Sequence, residues 1–178
     1  MWAMQKVVEG IDWLNQKTGR VVAWLSTIMV LVVTTDVIMR YLFRTSYVFV
    51  QELEWHLFGA LFLLGAGYTL LHDDHVRVDI FYQRLSAKNQ AWVNLLGVLF
   101  FLLPGCVLVI LTSWQFFINS WSFGEGSPDP GGIPARYVLK SLIPIGFSLV
   151  ALQGVSLGLK SFLLIMGYSI RTEEEGEL

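Results

Sequence analysis

Residues 47–79 read YVFVQELEWHLFGALFLLGAGYTLLHDDHVRVD, and this stretch decides the fold. Its uncharged run, Leu57–Leu71, follows two carboxylates, Glu52 and Glu54, and precedes a dense charged loop. A helix needs roughly 20 apolar residues to cross a bilayer, so the run is short for an independent span. We therefore expect either that the Glu52–His56 turn lies at the membrane interface or that a neighbouring protein shields part of the helix.

The composition of the whole chain indicates a membrane protein. The 178 residues are 54% hydrophobic and 15% charged, and the charges cluster between long uncharged runs. This pattern is typical of integral membrane proteins. The formal net charge of −2 gives no basis for nucleic-acid binding, which requires a concentrated basic face. The single cysteine, Cys106, leaves no disulfide within the chain.

The hydrophobic pattern predicts an all-α integral membrane protein with four transmembrane helices and amphipathic interfacial helices. Apolar residues at helical spacing in residues 1–17 predict an interfacial helix that ends at Thr18-Gly19. A second interfacial arm is expected over 78–86, and an acidic disordered tail over 172–178. A single membrane domain, residues 1–171, would hold the spans at about 20–40, 49–71, 91–119 and 138–168.

Proline and glycine shape the second half of the chain. Ala91 to Phe123 contains no charge and would exceed the bilayer thickness as one helix. It should therefore tilt, protrude or kink, with Pro104 as the kink site. The segment Gly124–Pro134 is rich in glycine and proline and predicts a rigid-turn loop.

The distribution of Lys and Arg predicts the orientation, because cytoplasmic segments carry an excess of these residues. With both termini cytoplasmic, eight of the 12 would lie inside: Lys6, Lys17, Arg20, Arg77, Arg84, Lys88, Lys160 and Arg171. The others, Arg40, Arg44, Arg136 and Lys140, would lie outside. We therefore expect both termini in the cytoplasm.

Some polar and small residues predict helix contacts. Asp36 and Arg40 are four residues apart, which predicts an ion pair near the end of the first span. Gly154 and Gly158 form a small-xxx-small face that lets another helix approach closely. Gln153 beside them suits an interhelical hydrogen bond.

The loop from His72 to Asp79 allows three interpretations. Its imidazoles and carboxylates suit a divalent metal, which would make the chain a metal-binding membrane enzyme or redox subunit. The same residues suit a solvated cytoplasmic loop, or a contact with a partner subunit. At the other end of the second span, Glu52 and His56 share a helix face and suit either a proton relay or a helix cap and interface pair.

Motifs along the chain resemble the small membrane subunit of tripartite ATP-independent periplasmic (TRAP) transporters, the DctQ-like family. They are Asp36-Val-Ile-Met-Arg40-Tyr41, Gln51-Glu52-Leu53, Gly65-Ala66, His75-Val76-Arg77-Val78-Asp79, Pro134 and Pro144-Ile145-Gly146-Phe147. Their order runs from the first span to the middle of the fourth. Glu54 and His56 fall outside the pattern expected of the family.

The resemblance implies a scaffold subunit in a bacterial or archaeal cytoplasmic (inner) membrane, with no enzymatic activity and no cofactor of its own. A large membrane subunit would carry the substrate and sodium sites and move as an elevator. A periplasmic binding protein would deliver the substrate, typically an organic acid. The lipid bilayer would surround the remaining surface of the small subunit.

On this basis we expect two sets of contact residues. Candidates for contact with the large subunit are Glu52, His56, His75, Arg77, Asp79, Gly154 and Gly158. Glu125 and Asp129, in the loop before the fourth span, are expected to help dock the binding protein. Another possibility is an independent channel that self-associates through the Gly154–Gly158 face.

Overall fold

A computed structural model of the chain describes residues 2–72, 82 and 84–168, and all its regular structure there is helical. The helices are α1 (Trp2–Leu42), α2 (Val48–Leu71), α3 (Ala87–Gly97), α4 (Leu103–Ser122) and α5 (Arg136–Ile165). A π-helical turn, Val98–Leu102, joins α3 to α4 without a break. Within the described residues, four helical stretches are long and apolar enough to cross a membrane. The prediction of an all-α protein with four long apolar helices is confirmed.

The first helix is longer than the sequence predicts. The expected break at Thr18-Gly19 is not found, because α1 runs continuously from Trp2 to Leu42. At 1.5 Å per residue it is about 60 Å long, roughly twice the hydrocarbon thickness of a bilayer. Gly19 is buried against the ring of Tyr68, and a Cβ placed there would lie 2.1 Å from Tyr68 Cδ2. This glycine therefore provides a close helix contact rather than a helix end.

The third span contains a helical irregularity just before Pro104, the predicted kink site. It extends from Ala87 to Ser122 as one helical stretch, and the irregularity is the π-helical turn that ends two residues before Pro104. Proline removes a backbone donor and crowds the preceding turn, and a π-turn is one way in which a helix absorbs this. Pro104 itself lies in the first turn of α4.

The second and fourth spans and the loop before α5 lie close to their predicted positions. The expected spans 49–71 and 138–168 correspond to Val48–Leu71 and Arg136–Ile165. Pro144 lies inside α5 without ending it. The predicted rigid-turn loop, Gly124–Pro134, is non-helical, with Gly124 and Gly131 at positive φ. The predicted interfacial arm, 78–86, is described only at residues 82 and 84–86, and the tail 172–178 lies wholly outside the described residues.

The fold is held together by small residues where helices cross. Gly146 of α5 lies against the backbone of α2, and a Cβ there would be 2.4 Å from the carbonyl oxygen of Leu63. Gly59 of α2 packs against Leu139 of α5, and a Cβ placed on Gly59 would lie 3.0 Å from Leu139 Cδ1. Close approach of this kind is how helices associate in lipid, where the hydrophobic effect does not drive them together.

Replacing Gly146 by alanine should destabilise the bundle by about 1–3 kcal/mol, because the new methyl group must push α2 and α5 apart. The matched control is Gly105→Ala, since Gly105 is also helical but has no atom within 4 Å of its Cβ position. That change should be neutral or stabilising by up to about 1 kcal/mol. Thermal unfolding of the two purified variants measures the difference, and equal effects would contradict this packing.

Candidate functional site

A polar network joins the N-terminal half of α1 to the C-terminal half of α5. Asp12 accepts hydrogen bonds from Gln153 Nε2 at 2.9 Å and from Ser156 Oγ at 2.7 Å. Its second oxygen pairs with Lys160 Nζ at 2.6 Å. Asn15 Nδ2 donates to Gln153 Oε1 at 2.9 Å, so the Gln153 amide is engaged on both sides. We call these five residues the α1–α5 network.

The network is buried and is built from two matching helix faces. Gln153 is 2% exposed, and Asn15 and Ser156 are fully buried. Asp12 and Asn15 are three residues apart, and Gln153, Ser156 and Lys160 follow at spacings of three and four, so each set lies on one face of its helix. Buried polar groups need partners. The two faces supply them for the Gln153 amide and the Ser156 hydroxyl, whereas Asn15 Oδ1 is buried without a hydrogen-bond partner.

The second helix joins the same end of the bundle. His72 Nε2 lies 2.9 Å from Gln16 Oε1, and the imidazole packs against the ring of Tyr68 with centroids 4.4 Å apart. Gly67 lies beside Asn15, where a Cβ would be 2.2 Å from Asn15 Oδ1. The N-terminal half of α1 therefore ties α2 and α5 together.

At the opposite end, Glu52 holds the loop before α5. Its carboxylate accepts a hydrogen bond from Ser127 Oγ and one from the backbone N–H of Ile133 at 2.6 Å. Glu52 is 5% exposed. The loop backbone comes so close that a Cβ on Gly132 would be 2.6 Å from Glu52 Oε2. We call this arrangement the loop anchor.

One further contact fixes the loop to α5, and another joins the start of α5 to α2. Lys140 pairs with the carboxylate of Glu125, and the ammonium group that donates this bond holds the pKa of Glu125 below its usual value near 4.5. The guanidinium carbon of Arg136 lies 5.3 Å from the ring centroid of Trp55 in α2. Asp129, by contrast, is exposed. The loop thus presents Asp129 to solvent, while Glu125 is used within the chain.

The predicted site residues have different positions in the structure. Arg40 pairs with Asp36 within α1, as their spacing predicts, and Asp36 is buried. His56 Nδ1 donates to the backbone carbonyl oxygen of Glu52 at 2.6 Å, so the imidazole does not contact the Glu52 carboxylate as a proton relay would require. Both carboxylate oxygens of Glu52 have donors inside the chain. We therefore assign Glu52 to the loop anchor, and its contact with a large subunit stays a prediction.

Gly154 and Gly158 are also used within the chain. A Cβ on Gly154 would lie 2.3 Å from Leu102 Cδ2, and one on Gly158 would lie 3.5 Å from Val98 Cγ1. The small-residue face is therefore covered by the π-helical turn of the third span. The predicted contact of this face with another subunit stays a prediction.

The charged loop of the second span lies mostly outside the described residues. His75, Arg77 and Asp79 are in this part, and so is the proposed metal cluster except for His72, which contacts Gln16. Among residues 2–72, 82 and 84–168, no group of three or more His, Cys, Asp or Glu side chains has the arrangement of a metal site.

Sequence reasoning missed Asp12, Asn15 and Ser127. Asp12 lies in the segment predicted as an interfacial helix, although Asp12, Asn15 and Gly19 follow at spacings of three and four and so mark a packed face. The interhelical hydrogen bond predicted for Gln153 is present. For Ser127 the sequence gives no signal, because it meets Glu52 only through the fold.

Comparison with known proteins places these features in a family. Residues 29–162 match the family of tripartite ATP-independent periplasmic transporters, DctQ component. The chain belongs to this family. It is therefore a membrane component of a transport system and not an enzyme, and the resemblance drawn from its motifs is confirmed.

One relative and one negative result complete the comparison. A Haemophilus influenzae protein, named as a candidate TRAP transporter small permease protein, is 30% identical over 107 residues. The match covers 60% of this chain and 66% of that relative, so it spans just under two thirds of the relative's length. No solved structure gives a significant match to the chain.

Proposed function

We propose that this DctQ-family chain is the fixed scaffold subunit of a sodium-coupled, binding-protein-dependent TRAP transporter that imports an organic acid. The observation that carries the proposal is the family match, which begins within α1 and ends within α5. It therefore includes the second and third spans completely and parts of the first and fourth. The protein would lie in the inner membrane of a bacterium or archaeon with both termini in the cytoplasm. The sodium and substrate sites would belong to the large membrane subunit.

The packing supports a fixed role. The α1–α5 network holds one end of the bundle together. The loop anchor holds the other end through two hydrogen bonds, whose partner residues are 75 and 81 positions apart in sequence. A subunit that serves as the stationary part of an elevator needs helices that do not move relative to one another. Buried charge-assisted hydrogen bonds at both ends provide this, because breaking any of them leaves an unpaired buried group.

The loop anchor supports a docking role for the adjacent loop. It holds residues 124–134 against α2 on the side where α1 ends and α2 begins, which would be the periplasmic side. Asp129 is exposed there and is available to a binding protein. We also propose His75, Arg77 and Asp79, which lie outside the described residues, as contacts with the large subunit.

Affinity purification of the full-length chain from its native membrane tests this function. A much larger multi-span membrane protein should accompany the chain, and its identity should direct uptake assays toward a class of organic acid. A tagged membrane protein of similar size from the same strain serves as the control for adventitious capture.

A further inference from the structure

A groove of about 430 Å³ runs along one face of α1 at the start of its long uncharged segment. Two indoles close its ends, two cations lie between them, and one amide and one aliphatic side chain complete its walls. The residues are Trp13, Gln16, Lys17, Arg20, Val21 and Trp24. Nothing in the proposed transport function uses this groove.

The groove faces away from the bundle. Trp13, Lys17, Arg20 and Trp24 follow one another at spacings of four, three and four, so they lie on one side of the helix. All four are exposed, and Trp13 and Trp24 are 61% and 72% exposed. The packed residues Asn15, Gly19 and Val22 lie on the other side, so the groove is open to the surroundings of the protein.

Among the described residues, the groove is an electropositive site without a counter-ion from the chain. Lys17 Nζ lies 4.8 Å from the ring centroid of Trp13. In the part of the chain that the structure describes, neither Lys17 nor Arg20 pairs with a carboxylate; the ion pairs there are Asp36–Arg40, Glu125–Lys140 and Asp12–Lys160. An anion from outside would find two donors about one helical turn apart.

The position of the groove along α1 selects a lipid as the source of that anion. Arg20 is the last charged residue before the uncharged segment Val21–Thr35, so the two cations lie at the edge of the hydrocarbon region. Trp24 lies one turn further in, where indoles pack between headgroup and acyl chain. A soluble anion would meet the cations but would leave the apolar half of the groove without an occupant.

We propose that this groove binds an anionic phospholipid, with its phosphate between Lys17 and Arg20 and the start of an acyl chain against Val21 and Trp24. Anionic headgroups are favoured over zwitterionic ones, because phosphatidylcholine carries its own cation beside the phosphate. Each cation near an anionic lipid contributes about fivefold in affinity. The site is independent of the transported substrate.

Native mass spectrometry of the purified full-length chain, with any membrane partner that accompanies it, tests the proposal. Phosphatidylglycerol and phosphatidylcholine with identical acyl chains are added separately, and lipid adducts are counted at each concentration. Wild type should prefer phosphatidylglycerol. The double variant Lys17→Gln/Arg20→Gln should lose about 20-fold in phosphatidylglycerol affinity, with phosphatidylcholine binding nearly unchanged.

Matched variants distinguish binding at this groove from general electrostatic attraction between anionic lipids and cationic side chains. Lys6 is exposed on the same helix and lies 3.9 Å from the ring centroid of Trp2, but it does not line this groove, so Lys6→Gln should leave phosphatidylglycerol binding at the groove unchanged. Lys17→Arg should retain it. Trp24→Ala should weaken both lipids equally, because it contacts the acyl chain rather than the headgroup.

Three results would overturn the proposal. The first is wild-type phosphatidylglycerol affinity in the double variant. The second is displacement of the lipid by millimolar inorganic phosphate, which would show a site for a free anion. The third is loss of a co-purifying protein instead of lipid, which would show that the groove is a protein interface.

Discussion

Replacing Asp12 by alanine should lower the free energy of unfolding of the chain by about 2–4 kcal/mol. The change removes two hydrogen-bond acceptors and one ion-pair partner at once. It leaves the Gln153 amide and the Ser156 hydroxyl without their acceptor in a buried position, and it leaves Lys160 unpaired. Unfolding in detergent, followed by tryptophan fluorescence and circular dichroism, measures the loss.

Two variants give this prediction its controls. Asp12→Asn keeps the side-chain oxygen that accepts from Gln153 and Ser156 but removes the charge, so it should lose less stability than the alanine variant. Glu9→Ala removes an exposed carboxylate from the same helix and should change stability by no more than about 0.5 kcal/mol. If Asp12→Ala behaves like Glu9→Ala, the α1–α5 network does not stabilise the bundle.

Replacing Glu52 by alanine should release the loop 124–134 while the helices stay folded. The Ile133 N–H loses a charged acceptor at 2.6 Å, and Ser127 loses its partner in the same step. A hydrogen bond to a charged group contributes about 1.5–3 kcal/mol, so the Ile133 amide should exchange about 10- to 100-fold faster. Hydrogen–deuterium exchange of the loop peptide measures this effect directly.

The loop also supplies its own control. Asp129→Ala removes an exposed carboxylate without touching the loop anchor, so exchange at Ile133 should stay at the wild-type rate. Transport assays then separate two roles: Glu52→Ala acts through loop position, and Asp129→Ala acts only through docking of a binding protein. Unchanged exchange in Glu52→Ala would show that the loop is held by other contacts.

The apolar helices could be predicted from sequence because their signal is local. Long uncharged runs predict spans whatever the neighbours are, and the observed ends of the second, third and fourth spans differ from the predicted ones by a few residues. The prediction of a break at Thr18-Gly19 was wrong because Gly19 packs closely against another helix. A glycine within a helix costs about 1 kcal/mol, which the close contact of Gly19 with Tyr68 offsets.

The contacts of the candidate site differ in the same way: a contact within one helix could be predicted, and contacts between distant segments could not. Asp36 and Arg40 pair within one helix, so their spacing contains the information. Asp12 and Gln153 are 141 residues apart, and Glu52 and Ile133 are 81 apart, so nothing local joins them. Gly154 shows an intermediate case, because a small residue predicts close helix approach but does not say which helix approaches.

The most direct measurement of the scaffold function is the composition of the complex that the full-length chain forms in its native membrane. Affinity purification followed by quantitative mass spectrometry should recover a much larger multi-span membrane protein in about equal molar amount. Recovery of the chain alone, folded and loaded with metal, would contradict the scaffold function and favour a metal site at His72–Asp79.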